Sequence, residues 1–144
     1  MNTPPPLIVV RAGSERDYPA IASIQQACPE AAQWPVGDYS AFETLIAFAD
    51  GWPAGFCAWR QTAPDEAELL NLGVHPAARR QGVASALLDA LCARAHGDIF
   101  LEVAEPNTPA IRLYTRQGWL PVLVRKGYYE GGRINAVVMK KRSW

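Results

Sequence analysis

Residues Val74–Ala84 read Val-His-Pro-Ala-Ala-Arg-Arg-Gln-Gly-Val-Ala, and this stretch decides the fold. The apolar run before it, Leu69-Leu70-Asn71-Leu72-Gly73-Val74, breaks off at His75-Pro76. Pro76 has no N–H to give a sheet ladder, so a strand must stop there. From Ala84, apolar residues recur at Leu87, Leu88, Leu91 and Ala95, the spacing of one face of a helix. A strand therefore feeds a short basic loop and then a helix N-terminus. The first turn of such a helix carries N–H groups without intrahelical partners and the positive end of its dipole. With Arg79 and Arg80 beside it, the loop is a receptor for phosphate.

The chain around this loop has 144 residues, enough for one core, and residues 1–144 are expected to form one domain. Apolar residues make up 49%, which excludes disorder, and fourteen basic residues balance fourteen acidic ones. A net charge of zero gives no general attraction for nucleic acid or a membrane surface. The basic run Lys140-Lys141-Arg142 reads as a solvated strand end. Cys28, Cys57 and Cys92 are odd in number, far apart and set in apolar patterns. They read as buried small hydrophobes of a reducing compartment, not as disulfides. His75 and His96 make no metal site with these partners. Met1–Pro6 lacks the basic and apolar regions of a signal peptide, and no apolar run approaches the ~20 residues of a membrane span. A soluble cytoplasmic domain is expected.

Upstream, Leu7–Arg11 is β-branched and apolar, a first strand. Ser14 and Asp17 form a capping box for a helix reaching about Cys28. Pro29, Pro35 and Gly37 break any period from Pro29 to Ser40. Trp34 and Tyr39 in that stretch read equally as a lid over the core or as a wall of a substrate groove. Strands Thr44–Ala49 and Gly55–Gln61 flank a turn at Asp50-Gly51-Trp52-Pro53. Strand Glu66–Val74 leads into the basic loop, and its helix runs to about His96. Downstream, Ile99–Val103 is a short, nearly all-apolar strand suited to a parallel or mixed sheet. Asn107 or Thr108 caps the next helix, with Pro109 at its permissive first position, and Gly118 stops it. Trp119–Arg125 and Ile134–Lys141 form a last strand pair, with Tyr128 and Tyr129 in the connection. The last strand would then offer a free edge, guarded by Lys140, Lys141 and Arg142.

Two familiar phosphate loops are excluded: the dinucleotide fingerprint needs three glycines, and a P-loop needs Gly-Lys-Ser/Thr. What remains, Arg79-x-x-Gly82-x-Ala84 preceded by Val74-His75-Pro76, resembles the pyrophosphate signature of the Gcn5-related N-acetyltransferases (GNAT). Further downstream, Leu101-Glu102-Val103, Asn107, Ala110-Ile111, Leu113-Tyr114 and Gly118-Trp119 resemble the pattern of the bacterial ribosomal-protein-alanine N-acetyltransferases. The resemblance implies an α/β (α+β) mixed sheet of six to seven strands with about four helices, splayed between its fourth and fifth strands. It also implies acetyl-CoA as cofactor. Leu72, Gly73, Val74, Arg79, Arg80, Gln81, Gly82, Val83, Ala84 and Ser85 would hold it, with a contact from Asn107. Glu102 would be the general base and Tyr114 the acid that protonates the departing thiolate.

Read on their own, these residues leave alternatives open. An isolated carboxylate in an apolar strand either faces solvent or is desolvated, and a desolvated one is a base suited to neutral pH. Tyr114 fits simple packing, Asn107 fits a helix cap, and Glu68 is a second candidate base. A strand amide near Leu72 could polarise the thioester carbonyl.

The segment Arg125-Lys126-Gly127-Tyr128-Tyr129 resembles the hairpin with which N-terminal acetyltransferases hold a peptide. It implies substrate contacts from Tyr128 and Tyr129, with Trp34 as a further wall. At about pH 7.4 an α-amine of pKa about 7.7–8.0 costs less than about 1 kcal/mol to deprotonate, against about 4 for lysine. A site with one carboxylate base suits the easier amine. The expected partner is thus a peptide or protein N-terminus, a ribosomal protein included, approached by a monomer or weak dimer. The alternatives are acetylation of a small amine, favoured if acids between Asp38 and Glu43 line the site, and a non-catalytic acyl-CoA-binding module.

Overall fold

The computed structural model describes residues 3–143, so Met1 and Asn2 of the expected lead-in lie outside the described residues. Seven strands form one mixed sheet in the order β1-β2-β3-β4-β5-β7-β6. They are β1 (Ile8–Ala12), β2 (Glu43–Ala49), β3 (Trp52–Ala63), β4 (Glu66–Val74), β5 (Asp98–Ala104), β6 (Leu120–Tyr129) and β7 (Ile134–Arg142). Three α-helices accompany them: α1 (Tyr18–Ala27), α2 (Val83–Arg94) and α3 (Thr108–Arg116). Short 3-10 turns cover Glu15–Asp17, Val36–Ala41, Pro76–Ala78 and Glu130–Gly132.

The helices lie on both faces of the sheet. Ile21 and Ile24 of α1 pack with Ile46, Phe56 and Ala58 on one face. On the other, Leu87, Leu88 and Leu91 of α2 and Tyr114 of α3 pack with Leu45, Cys57, Ile99 and Leu101. Both clusters shed apolar surface to water-free interiors, which is the main driving force of the fold.

Local signals place most of these elements. The capping box at Ser14 and Asp17 forms, and Arg11 clamps the Asp17 carboxylate through both Nη atoms at 2.8 Å. That pair and burial-resistant hydrogen bonds from Ser14 hold the Asp17 carboxyl well below the usual range. At the β2–β3 hairpin, Asp50 and Gly51 take positive φ values of 48° and 84°, a two-residue turn that matches strand twist. The expected four-residue turn is therefore too long: Trp52 and Pro53 belong to β3, next to a bulge. Likewise Tyr128 and Tyr129 end β6 and do not lie in the connection, because Glu130, Gly131 and Gly132, all at positive φ, complete the turn.

Two further expectations are corrected. Strand β7 is not an edge, since it lies between β5 and β6. Its basic end is also not simply solvated: Lys140 and Arg142 each pair with Asp98 at 3.1 Å, and Lys141 donates to the Gln117 carbonyl.

The decisive irregularity is a bulge in β4. Ala58 faces Asn71 and Trp59 faces Leu69, so Leu70 is the extra residue. Below it Leu69 joins the α2 face, and above it Asn71 turns to the α1 face. Strand β4 pairs with β5 only from Glu66–Asp98 to Glu68–Phe100. Past that point the two strands separate.

Asn71 is buried and uses its whole amide. Its Oδ1 accepts from Ala32 N and Leu72 N, both at 3.0 Å, and its Nδ2 donates to Ala32 O at 2.9 Å and Tyr39 Oη at 3.1 Å. Tyr39 in turn donates to Gln25, and burial raises its phenol to about 12. Asn71→Ala strands several buried groups at once and should cost about 3 kcal/mol in a urea melt. A loss under about 1 kcal/mol would show that this network contributes little.

Candidate acetyl-transfer cleft

Where β4 and β5 part, a cleft of about 930 Å³ opens. One wall is Leu69–Val74 of β4, and the other is Leu101–Ala104 of β5. The loop residues Glu30, Ala31 and Ala32 close one side, held there by Asn71. The far end runs to the loop before α2.

The loop expected to receive an anion lies there. Gly82 stands at φ 84° and ψ 12°, the left-handed region, as N-cap of α2. A Cβ built on Gly82 meets no atom within 4 Å, so the backbone there faces open space. Among the described residues, the N–H groups of Gln81, Gly82, Val83, Ala84 and Ser85 have no acceptor within the protein. Five such amides at the positive end of a helix are donors suited to an anion. Arg80, also at positive φ (63°), is exposed beside them. Two neighbours are already engaged. Arg79 forms an ion pair with Glu30 across the mouth, and Gln117 Nε2 donates to Ser85 Oγ at 2.8 Å.

The residues expected to carry chemistry, Glu102 and Tyr114, line the same cleft. Strand alternation puts Leu101 and Val103 on the α2 face and Glu102 on the opposite one. Tyr114 comes from α3 on the α2 face. Both line the cleft, because the gap between β4 and β5 passes through the sheet. Glu102 Oε1 is 3.0 Å from Arg125 Nε, with the carboxylate side chain 27% exposed. Tyr114 is buried, its ring 5.8 Å from that of Trp119. Burial, and secondarily Cys57 and Tyr129, pushes the Tyr114 phenol well above the ordinary tyrosine range.

The remaining expected site residues divide. Asn107 lines the cleft and caps α3, its Oδ1 accepting from Ala110 N at 3.3 Å. Leu72, Gly73 and Val74 line the β4 wall, but the Leu72 amide donates to Asn71 Oδ1 and is not free for a carbonyl. Tyr129 lines the cleft, and burial raises its pKa with a contribution from Glu102. Tyr128 is half exposed at the rim, its ring 4.9 Å from Tyr129, and hydrogen bonding to Glu102 raises its phenol.

Trp34 is a correction: it stacks on Tyr39 at 5.1 Å and Phe42 at 5.2 Å, in the α1-face cluster and away from the cleft. Tyr39 is likewise core, neither lid nor groove wall. The acids Asp38 and Glu43 do not line the cleft.

Glu30, the Ala31–Ala32 wall, Asn71 and Arg116 also border the cleft or shape it, and none was anticipated. Of these only Asn71 left a sequence signal, as the one polar residue inside Leu69–Val74.

Comparison with known proteins places this geometry. The model of the acetyltransferase (GNAT) family matches residues 13–119. The ribosomal protein bS18-alanine N-acetyltransferase of Haemophilus ducreyi is 42% identical over 108 residues, spanning 70% of this chain and 68% of that protein. Its Escherichia coli counterpart is 39% identical over 85 residues, 55% of this chain and 57% of that protein. The match thus reaches over little more than half of the latter's length. The crystal structure of the ribosomal-protein-S18-alanine N-acetyltransferase from Escherichia coli superposes with a TM-score of 0.81 at 28% identity, covering 94% of both chains. Arabidopsis thaliana NAA60, solved in complex with acetyl-CoA, shares the fold, with a TM-score of 0.79 at 18% identity over 94% of this chain and 98% of that one.

Proposed function

We propose that this chain, which belongs to the acetyltransferase (GNAT) family, acetylates the N-terminal α-amino group of a protein. Its relatives in Haemophilus ducreyi and Escherichia coli carry the name of a ribosomal-protein alanine N-acetyltransferase, and a ribosomal protein is the acceptor this reading favours. The observation that carries the reading is a single cleft lined by the loop at Gly82, by Glu102 and by Tyr114.

The cleft fits acetyl-CoA, which supplies an acyl thioester when bound. The free amides of Gln81 to Ser85 would hold its diphosphate, with Arg80 adding charge. The apolar walls Leu69, Leu101, Val103 and Leu113 would exclude water from the slot. Glu102 would take the proton that the attacking amine gives up. Tyr114, kept protonated by burial, would donate its proton to the departing sulfur. Tyr128 and Tyr129 at the rim would flank the incoming peptide. Retaining a carboxylate and a phenol together at the same slot speaks against a module that only binds acyl-CoA, since binding uses neither.

The test is to incubate the protein and acetyl-CoA with peptides beginning Ala, Ser or Met, with spermidine and lysine alongside, and to map the acetyl group by mass spectrometry. The reading expects the label on peptide α-amines. Label on spermidine or lysine side chains alone would defeat it.

Tyr114 yields a second expectation. Tyr114→Phe should lower kcat about 10²-fold while leaving acetyl-CoA affinity unchanged. Because burial raises the phenol, wild-type kcat should hold a plateau on the alkaline side to about pH 10. A fall beginning near pH 8 that vanishes in the Phe variant would mean that Tyr114 titrates early, contrary to its buried setting.

A further inference from the structure

The carboxylates at this cleft are all tied to arginines. Among the described residues two carboxylates line it, Glu30 and Glu102, paired with Arg79 and Arg125. A third, Glu68, whose charge is felt by the rim phenol Tyr128, pairs with Arg60 at 3.2 Å. Each carboxylate that lines the cleft thus carries its own compensating charge.

The Arg125 contact is the closest to the reacting amine. Its Nε meets Glu102 Oε1 at 3.0 Å, and the Tyr128 phenol hydrogen-bonds to the same carboxylate. Its guanidinium also lies 5.9 Å from the Tyr128 ring centroid, so it is braced against the rim. The side chain comes from β6 and reaches across β7 to β5. An acceptor entering at Glu102 therefore arrives beside a fixed positive charge.

We propose that Arg125 is a specificity-determining residue: it cancels the charge of Glu102 where the amine enters, so the site takes acceptors with one amine and rejects diamines and polyamines. A protein N-terminus presents one amine followed by neutral peptide groups. A diamine brings a second ammonium, which meets the guanidinium, while both carboxylates that line the cleft are already paired. The inference rests on the reading that Glu102 faces the acceptor amine, and it extends that reading to the acceptor's charge.

The experiment compares n-butylamine with putrescine, amines of equal length that differ by one charge, in wild type, Arg125→Gln and Arg125→Lys. Both turnover and titration of the coenzyme-loaded enzyme are read. Arg125→Gln should raise the putrescine-to-butylamine ratio about tenfold, chiefly through the KM or Kd of putrescine, and Arg125→Lys should keep the wild-type ratio. High salt should shrink the difference, because both side chains are partly exposed. An unchanged ratio in the Gln variant overturns the proposal, as do a Lys variant that behaves like Gln and a failure of either amine to bind. If the amine discrimination holds while every peptide N-terminus goes unmodified, the N-terminal reading falls and the charge filter stands.

Discussion

Glu102→Gln should cut the chemical step by about 10²–10⁴-fold and leave acetyl-CoA binding near wild type. Glutamine keeps the size of the side chain and an Oε1 that can accept from Arg125 Nε, so the β5–β6 contact survives. What disappears is the capacity to take a proton. The change lies on β5, a different element from the loop whose amides precede α2. Single-turnover rates with saturating acetyl-CoA isolate the step, and titration calorimetry with CoA checks that binding is intact. Glu68→Gln is the companion variant, because Glu68 was the other candidate base. Glu68 lies at the last position of β4 paired with β5, bound to Arg60, and does not line the cleft. Its removal should cost less than tenfold. A slow Glu68 variant beside an active Glu102 variant would exchange the two roles.

The second large effect belongs to Gly82. Gly82→Val should weaken acetyl-CoA about 100-fold, or roughly 2.7 kcal/mol. The left-handed conformation at φ 84° costs an ordinary L residue about 1–2 kcal/mol, and a β-branched one more. The added atoms meet nothing in the protein itself. They would fill the space above the free amides, where the diphosphate is proposed to sit. Strain would also push the chain out of the left-handed region and turn those N–H groups away from one another. Gly82→Ala, smaller and unbranched, should lose about tenfold on the same grounds. The thermal midpoint should move only a few degrees, since Gly82 is exposed and packs on nothing. Wild-type affinity in the Val variant would dismiss the cradle.

These two sites differ in how they could be found. The receptor before α2 is written in neighbouring residues: a strand stopped by Pro76, arginines, Gly82, and then a helical period. The Asn107 cap and the Ser14–Asp17 box are equally local. The pairing of Glu102 with Arg125 is not, because nothing in either segment states that β7 will lie between them. Reading β7 as an edge concealed that contact. Trp34 misled for a related reason: an aromatic residue in an irregular stretch looks available until Tyr39 and Phe42 are folded against it.

The sequence by itself determined the order of strands and helices, the basic loop ending in a left-handed Gly82 before α2, and the helix caps. Those are consequences of backbone sterics and of hydrogen bonds spanning a few residues, so a short window contains them. Tertiary structure alone decided the bulge at Leu70, the parting of β4 from β5, the clamp of Asn71 on Ala32 and the pairing of Arg125 with Glu102. Each depends on the register between segments far apart in the chain, and register is set by the packing of both sheet faces at once.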